Sequence, residues 1–179
     1  MNSIVGDTRW NSQLTCVETY IRNHAGYSYV ANSYEDDMEK NVVKFIRDYN
    51  LLKQAKDLLK QLKPVGGALN HLQGDEVSLA DACDSWLDLL PDTNLQPYKR
   101  EVNSRFGEAI QPMHYFAYIL CPQYRGAKLN EEQQEQARQW IADHHPDLLP
   151  FVLSFAGEGE PYPHYYFAPQ VISNMDPVS

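Results

Sequence analysis

Few residues in this chain combine types and spacing that chemistry can use, and the first of them stand together as Asp7-Thr8-Arg9-Trp10-Asn11-Ser12. A guanidinium beside an indole is the pairing that grips phosphate and stacks an unpaired base. The same Trp10 also opens an apolar row, Trp10, Leu14, Val17 and Ile21, at helical spacing, which makes it the first core residue of a helix. Both readings stand at this point, and Asp7 or Thr8 suits the helix cap in either. Lys53, Lys56, Lys60 and Lys63 form a second candidate, with Arg100 and Arg105 as further cations. Their spacing fits a phosphate-contacting stripe, and it also fits the solvated face of an amphipathic helix, the simpler account. Glu35-Asp36-Asp37 and Asp75-Glu76 bring carboxylates together as acid–base and metal sites do, but both stand at expected helix starts, where acids favour the dipole. Asp143-His144-His145 holds ligand types, and a helix end ahead of Pro146 accounts for them. Gly66-Gly67 lacks the following Lys and Ser/Thr of a phosphate-binding loop, and no Gly-x-Ser-x-Gly elbow occurs. The residues thus predict no catalytic centre, no metal and no cofactor.

The elements that would carry these residues are all helical in period. Apolar residues recur at three and four over 10–24, 37–49, 51–62, 65–72, a segment started by Asp75 or Ser78 and running to 90, 98–106, 113–120, 130–141 and 148–155, with Pro64 marking a kink or a new start. Gly26 is expected to close the first helix and Gly107 the one begun at Tyr98, since glycine accepts the turn that ends a helix. Tyr27, Tyr29 and Tyr34 then fall around a polar connector, where three such rings can stack bases or, the simpler account, cover a core edge. Leu58, Leu59, Leu69, Trp86, Leu87, Phe116 and Ile119 are expected inside, and Cys16, Cys83 and Cys121 read as reduced core residues. The fold class that follows is all-α, an irregular bundle of about seven or eight helices. One helical domain would span 1–156. Residues 157–179 change in composition to Gly, Pro and aromatics and form an extended tail. Tyr162, Tyr165, Tyr166 and Phe167 in that tail can dock on the core or enter a partner's groove.

With 179 residues, 43% hydrophobic and 22% charged, the chain has a globular composition. The formal charge of −9 disfavours a self-sufficient duplex binder, which neutralises phosphates with a basic surface. No stretch approaches the roughly 20 apolar residues of a membrane span, and a soluble, non-secreted protein is expected.

Thr8-Arg9-Trp10-Asn11-Ser12, followed by Gln13, Leu14 and Glu18, resembles a block of hAT-superfamily transposases and of the BED-finger proteins derived from them. Three further segments agree in order: Leu69-Asn70-His71-Leu72-Gln73 running into Ser78-Leu79-Ala80-Asp81-Ala82, then His114 to Leu120, then Pro122-Gln123-Tyr124-Arg125-Gly126. The resemblance covers about residues 5 to 145. It implies helices inserted into a ribonuclease-H-like core, a nuclear location, and a Trp10 that stacks on a flipped base at a transposon end. The family's catalytic aspartates should precede the block, where only six residues stand before Asp7, and its Ser-Glu-Arg block does not occur. Two-metal phosphoryl transfer needs those acids, so the chain is expected to be no enzyme by itself. What remains is a non-catalytic, transposase-derived helical module that binds another protein or a second copy of itself. The alternative is a fragment holding hairpin or single-stranded DNA through Arg9, Trp10 and the Lys/Arg stripe, with weak DNA contact.

Overall fold

The computed structural model describes residues 9–157, 162 and 164–172, with the backbone alone at Arg9, Trp10, Asn11, Tyr165 and Tyr166. Among them every regular element is helical: α1 (Arg9–Ser33), α2 (Lys40–Ile46), α3 (Tyr49–Leu72), α4 (Leu79–Leu89), α5 (Lys99–Ala109), α6 (Pro112–Leu120), α7 (Glu131–His144), α8 (Leu149–Ala156) and α9 (Pro169–Ile172). Short 3-10 turns join several of them, and no strand is present among the described residues. The all-α class follows from periods near 3.6 throughout. Contacts group the chain into two compact units, Met1–Asn70 and His71–Ser179, where the apolar pattern alone marked no boundary before 157. The division falls in the last turn of α3, where helical periodicity continues and so carries no signal.

In the first unit, α1 runs straight through Gly26 to Ser33 instead of stopping at His24. Nothing lies within 4 Å of where a Gly26 side chain would begin, and no proline follows to force an exit. Tyr27 and Tyr29 therefore sit on the helix rather than in a connector, and both are exposed. α3 likewise continues across Pro64. Gly66 lets α1 approach, since an added Cβ there would stand 2.8 Å from Leu14 Cδ2. His24 and Ala31 of α1 and Val43 of α2 are buried, and His24 Nε2 donates to the Ile46 carbonyl at 3.1 Å. Tyr20 meets His24 edge to face, and its buried hydroxyl has no hydrogen-bond partner among the described residues. Arg47 closes α2 by donating to Glu35, Asn32 and the Ala31 carbonyl.

The second unit is built around α4, α6 and α7. Ala80, Cys83, Leu87, Ile110, Tyr115, Tyr118, Leu129 and Ala137 form its buried cluster, with Trp86, Phe106 and Phe116 packed against it. Local signals set its helix starts. Ser78 and Asp81 cap α4 reciprocally, Asn130 and Gln133 do the same for α7, and Pro112 opens α6. α5 extends past Gly107 to Ala109, for the reason that applies at Gly26: no side chain would collide there and no proline follows within the helix.

The burial expectations are met in part. Leu87 is buried, whereas Leu59, Leu69, Trp86, Phe116 and Ile119 are half-buried and Leu58 is exposed. Small units leave most apolar faces shared between neighbours and solvent, so period gives the face but not the depth. Cys83 is buried and Cys121 half-buried, but Cys16 lies on the exposed side of α1. All three are free thiols.

Candidate interaction surfaces

The four lysines of the stripe share one side of α3 because their spacing of three, four and three residues keeps them within a quarter of the helix circumference. Lys53, Lys56, Lys60 and Lys63 are all exposed. Lys60 reaches Asp57 at 3.0 Å and Lys63 approaches Glu18 of α1 at 3.9 Å, both exposed pairs of small energetic weight. Tyr49 precedes Lys53 by four residues, continues the same row, and is 81% exposed. Arg100 and Arg105 belong to α5 in the other unit. Both are exposed, and Arg105 pairs with Glu108 at 2.9 Å. Arg9 and Trp10 form the first turn of α1, and their side chains lie outside the described residues.

Two further rows on the first unit escaped the sequence reading as surfaces. Tyr27, Val30 and Tyr34 recur at three and four along α1 and just beyond its end, and Val42, Phe45 and Tyr49 do so from α2 into α3. All six are exposed, Phe45 at 61%. Helical spacing was visible in both sets. What hid them is that spacing reports amphipathicity without saying which apolar face meets a neighbour.

The tail residues divide. Phe167 is buried, edge-on to Phe155 at 5.1 Å, with the Arg125 guanidinium 4.2 Å above its ring. Its ring is thus taken up by its own unit, which removes it from the surface offered to a partner. Tyr162 is half-buried against Phe155 at 5.4 Å. The side chains of Tyr165 and Tyr166 lie outside the described residues. Arg125 adopts φ +50° ahead of Gly126 at +72°, which turns the chain out of α6 and aims the guanidinium at Phe167. A cavity of about 150 Å³ beside Arg125, between α6, α7 and α8, is too small for a typical organic cofactor.

The most ordered polar arrangement lies along α4, where Asp81, Asp84 and Asp88 follow one another at three and four residues. The Tyr124 hydroxyl donates to Asp81 and the Tyr118 hydroxyl to Asp84, each at 2.6 Å. Lys128 bridges Asp84 at 2.8 Å and Asp88 at 2.6 Å. The two tyrosine rings stack at 4.8 Å. Burial, and next the hydrogen bond to Asp84, push the Tyr118 hydroxyl above its ordinary pKa, and burial, followed by the Asp81 bond, does the same for Tyr124. Burial alone would lower Lys128, but its two aspartates outweigh it and raise it. Desolvation carries the Cys83 thiol up to about 12, so it stays protonated and unreactive. The two tyrosine hydroxyls and Lys128 thus fasten α4 to α6 and the turn after it. No three His, Cys, Asp or Glu side chains among the described residues gather as metal ligands would.

Asp81 makes the network pH-dependent. Burial raises its carboxyl pKa, but hydrogen bonds from Tyr124 and from the Ser78 amide and hydroxyl outweigh that and hold it below the ordinary value. A depressed folded-state pKa stabilises above the unfolded value, near 4, and that contribution is lost as pH falls through the folded value. Asp81→Asn should therefore lower the urea midpoint at neutral pH, with the gap to wild type closing below about pH 4. A gap that stays constant with pH would remove the carboxylate charge from the account.

No helix of the described residues is long and apolar enough to cross a membrane. No family model, curated protein or solved structure matches this chain.

Proposed function

We propose that this chain is a non-catalytic, transposase-derived helical module that works by holding another protein or a second copy of itself. The two exposed rows of the first unit, Tyr27-Val30-Tyr34 and Val42-Phe45-Tyr49, carry this reading. Aromatic side chains left in water at helical spacing are the groups that anchor protein interfaces, where their large rings leave solvent at little entropic cost. The four-segment resemblance to hAT transposases supports a descent from that family and, with it, a nuclear location. Sedimentation of the purified chain, wild type against Phe45→Asp, tests the reading. Association should weaken about tenfold or more, since one buried aromatic anchor contributes at least 1.4 kcal/mol, while the melting temperature should barely move because Phe45 is exposed. A wild-type chain that stays monomeric, with no partner lost on Phe45→Asp in a binding screen, overturns it.

The lysine row supports the second reading, a nucleic-acid contact. Residues 1–70 hold nine Lys/Arg against eight Asp/Glu, leaving six against sixteen in 71–179, so the acidic excess belongs wholly to the second unit. The charge that disfavours DNA for the whole chain does not disfavour it for the first unit. A hairpin that binds wild type and is released by Trp10→Ala without loss of stability would favour this reading.

A further inference from the structure

The charge division goes further than a choice between those readings. The lysine side of α3 is exposed: Lys60 and Lys63 keep about three fifths of their side chains exposed, the nearest group of another helix being Glu18 of α1 at 3.9 Å from Lys63, and among the described residues no ion pair holds Lys53 or Lys56. The row spans ten residues, about 15 Å of helix. α7 in the second unit carries an exposed row of the opposite sign and similar length, Glu132, Glu135 and Asp143 with Gln139 between them, spaced by three, four and four residues. That spacing also keeps the four within a quarter of the circumference. The hydrogen bonds these acids make, to Gln136, Arg138 and Gln139, run within the helix and are exposed, so they exchange readily for a stronger partner.

We propose that the lysine row of α3 in one copy of this chain docks on the acidic row of α7 in a second copy. The inference rests on the self-association side of the proposed function. Matched length and opposite sign argue for a second copy, because each molecule then offers both halves of the contact. A pair related by a two-fold axis makes the contact twice and leaves no row open for further addition. Tyr49, at the amino end of the lysine row, adds an aromatic anchor to a surface that charges alone would hold weakly.

Charge reversal with rescue tests the pairing. Sedimentation velocity of the full chain at low and high NaCl would be compared for wild type, Lys53→Glu/Lys56→Glu, Glu132→Lys/Glu135→Lys, and the chain carrying all four changes. All four positions are exposed, and matched circular-dichroism melts would confirm the fold. Wild type should dimerise at low salt and dissociate as salt rises, each reversal should weaken dimerisation about tenfold or more, and the fourfold variant should regain most of the loss. A dimer indifferent to salt and to all three variants overturns the pairing while leaving self-association intact. A chain monomeric at every salt concentration overturns both. Reversal of the lysines that abolishes binding of a hairpin oligonucleotide but leaves the dimer unchanged assigns the row to nucleic acid and likewise overturns the pairing.

Discussion

Tyr118→Ala should cost the second unit about 3 to 5 kcal/mol, the range for truncating a large buried ring, and should be among the most damaging single changes available to the chain. Tyr118 is 1% exposed, one of the largest side chains wholly enclosed among the described residues. Removing it deletes a ring that stacks on Tyr124 at 4.8 Å and leaves Asp84 with Lys128 as its remaining partner. Tyr118→Phe separates the two contributions. It keeps the ring and loses the 2.6 Å bond to Asp84, and since a hydrogen bond to a charged group is worth about 1.5 to 3 kcal/mol, the loss should fall in that range. Urea unfolding of the two variants measures both. A Tyr118→Ala loss below about 1 kcal/mol would mean that the site collapses around the gap, and that α4 and α6 are not fastened there.

That network was legible in the sequence only in pieces. Ser78 as the start of α4, Pro112 as the start of α6 and Asn130 with Gln133 at the start of α7 could be read because capping is local: the partners lie three residues apart, and the chemistry is fixed by the backbone. Tyr118 to Asp84 spans 34 residues and Tyr124 to Asp81 spans 43. No local rule joins residues so far apart. Three aspartates at three and four residues along a largely apolar helix were the available signal, since a carboxylate row beside a core face calls for donors from a neighbour.

The candidate surfaces show the same limit from the other side. Lys53, Lys56, Lys60 and Lys63 were placed on one face by spacing, and they lie there. Phe167 read as a residue that either docks on the core or enters a partner's groove, because its tail has too few apolar residues for a core of its own, and it docks under Arg125 and against Phe155. The left-handed Arg125 that aims that guanidinium is set by a turn whose geometry Tyr124-Arg125-Gly126 only hinted at. Charge misled for a simpler reason: a total of −9 averages a nearly neutral first unit with a strongly acidic second one, and the boundary between them sits inside a helix.

Helix ends were misplaced at Gly26 and Gly107, and glycines inside helices give the other large expected effect. Gly26, Gly67 and Gly107 all lie inside helices, and a Cβ added at any of them meets nothing within 4 Å. Glycine in a helix interior costs roughly 0.5 to 1 kcal/mol relative to alanine, mostly through the freedom it retains when unfolded. Each change to alanine should therefore stabilise by about that amount. The three sites are far apart in sequence and share no neighbour, so the triple variant should gain about 1.5 to 3 kcal/mol by near-additivity. Gly66→Ala is the contrasting case. The propensity gain is the same, but the new methyl stands 2.8 Å from Leu14 Cδ2, so the gain is offset by whatever it costs that leucine to move. Chemical denaturation of the four single variants and the triple would decide the matter position by position. If Gly26→Ala destabilised by about 1 kcal/mol or more, the glycine would be serving in the left-handed turn of a helix end, and α1 would close there rather than at Ser33. A gain at Gly26 together with a smaller gain or a loss at Gly66 is the expected pattern, because of these four glycines Gly66 alone has a neighbour close enough to need the missing side chain.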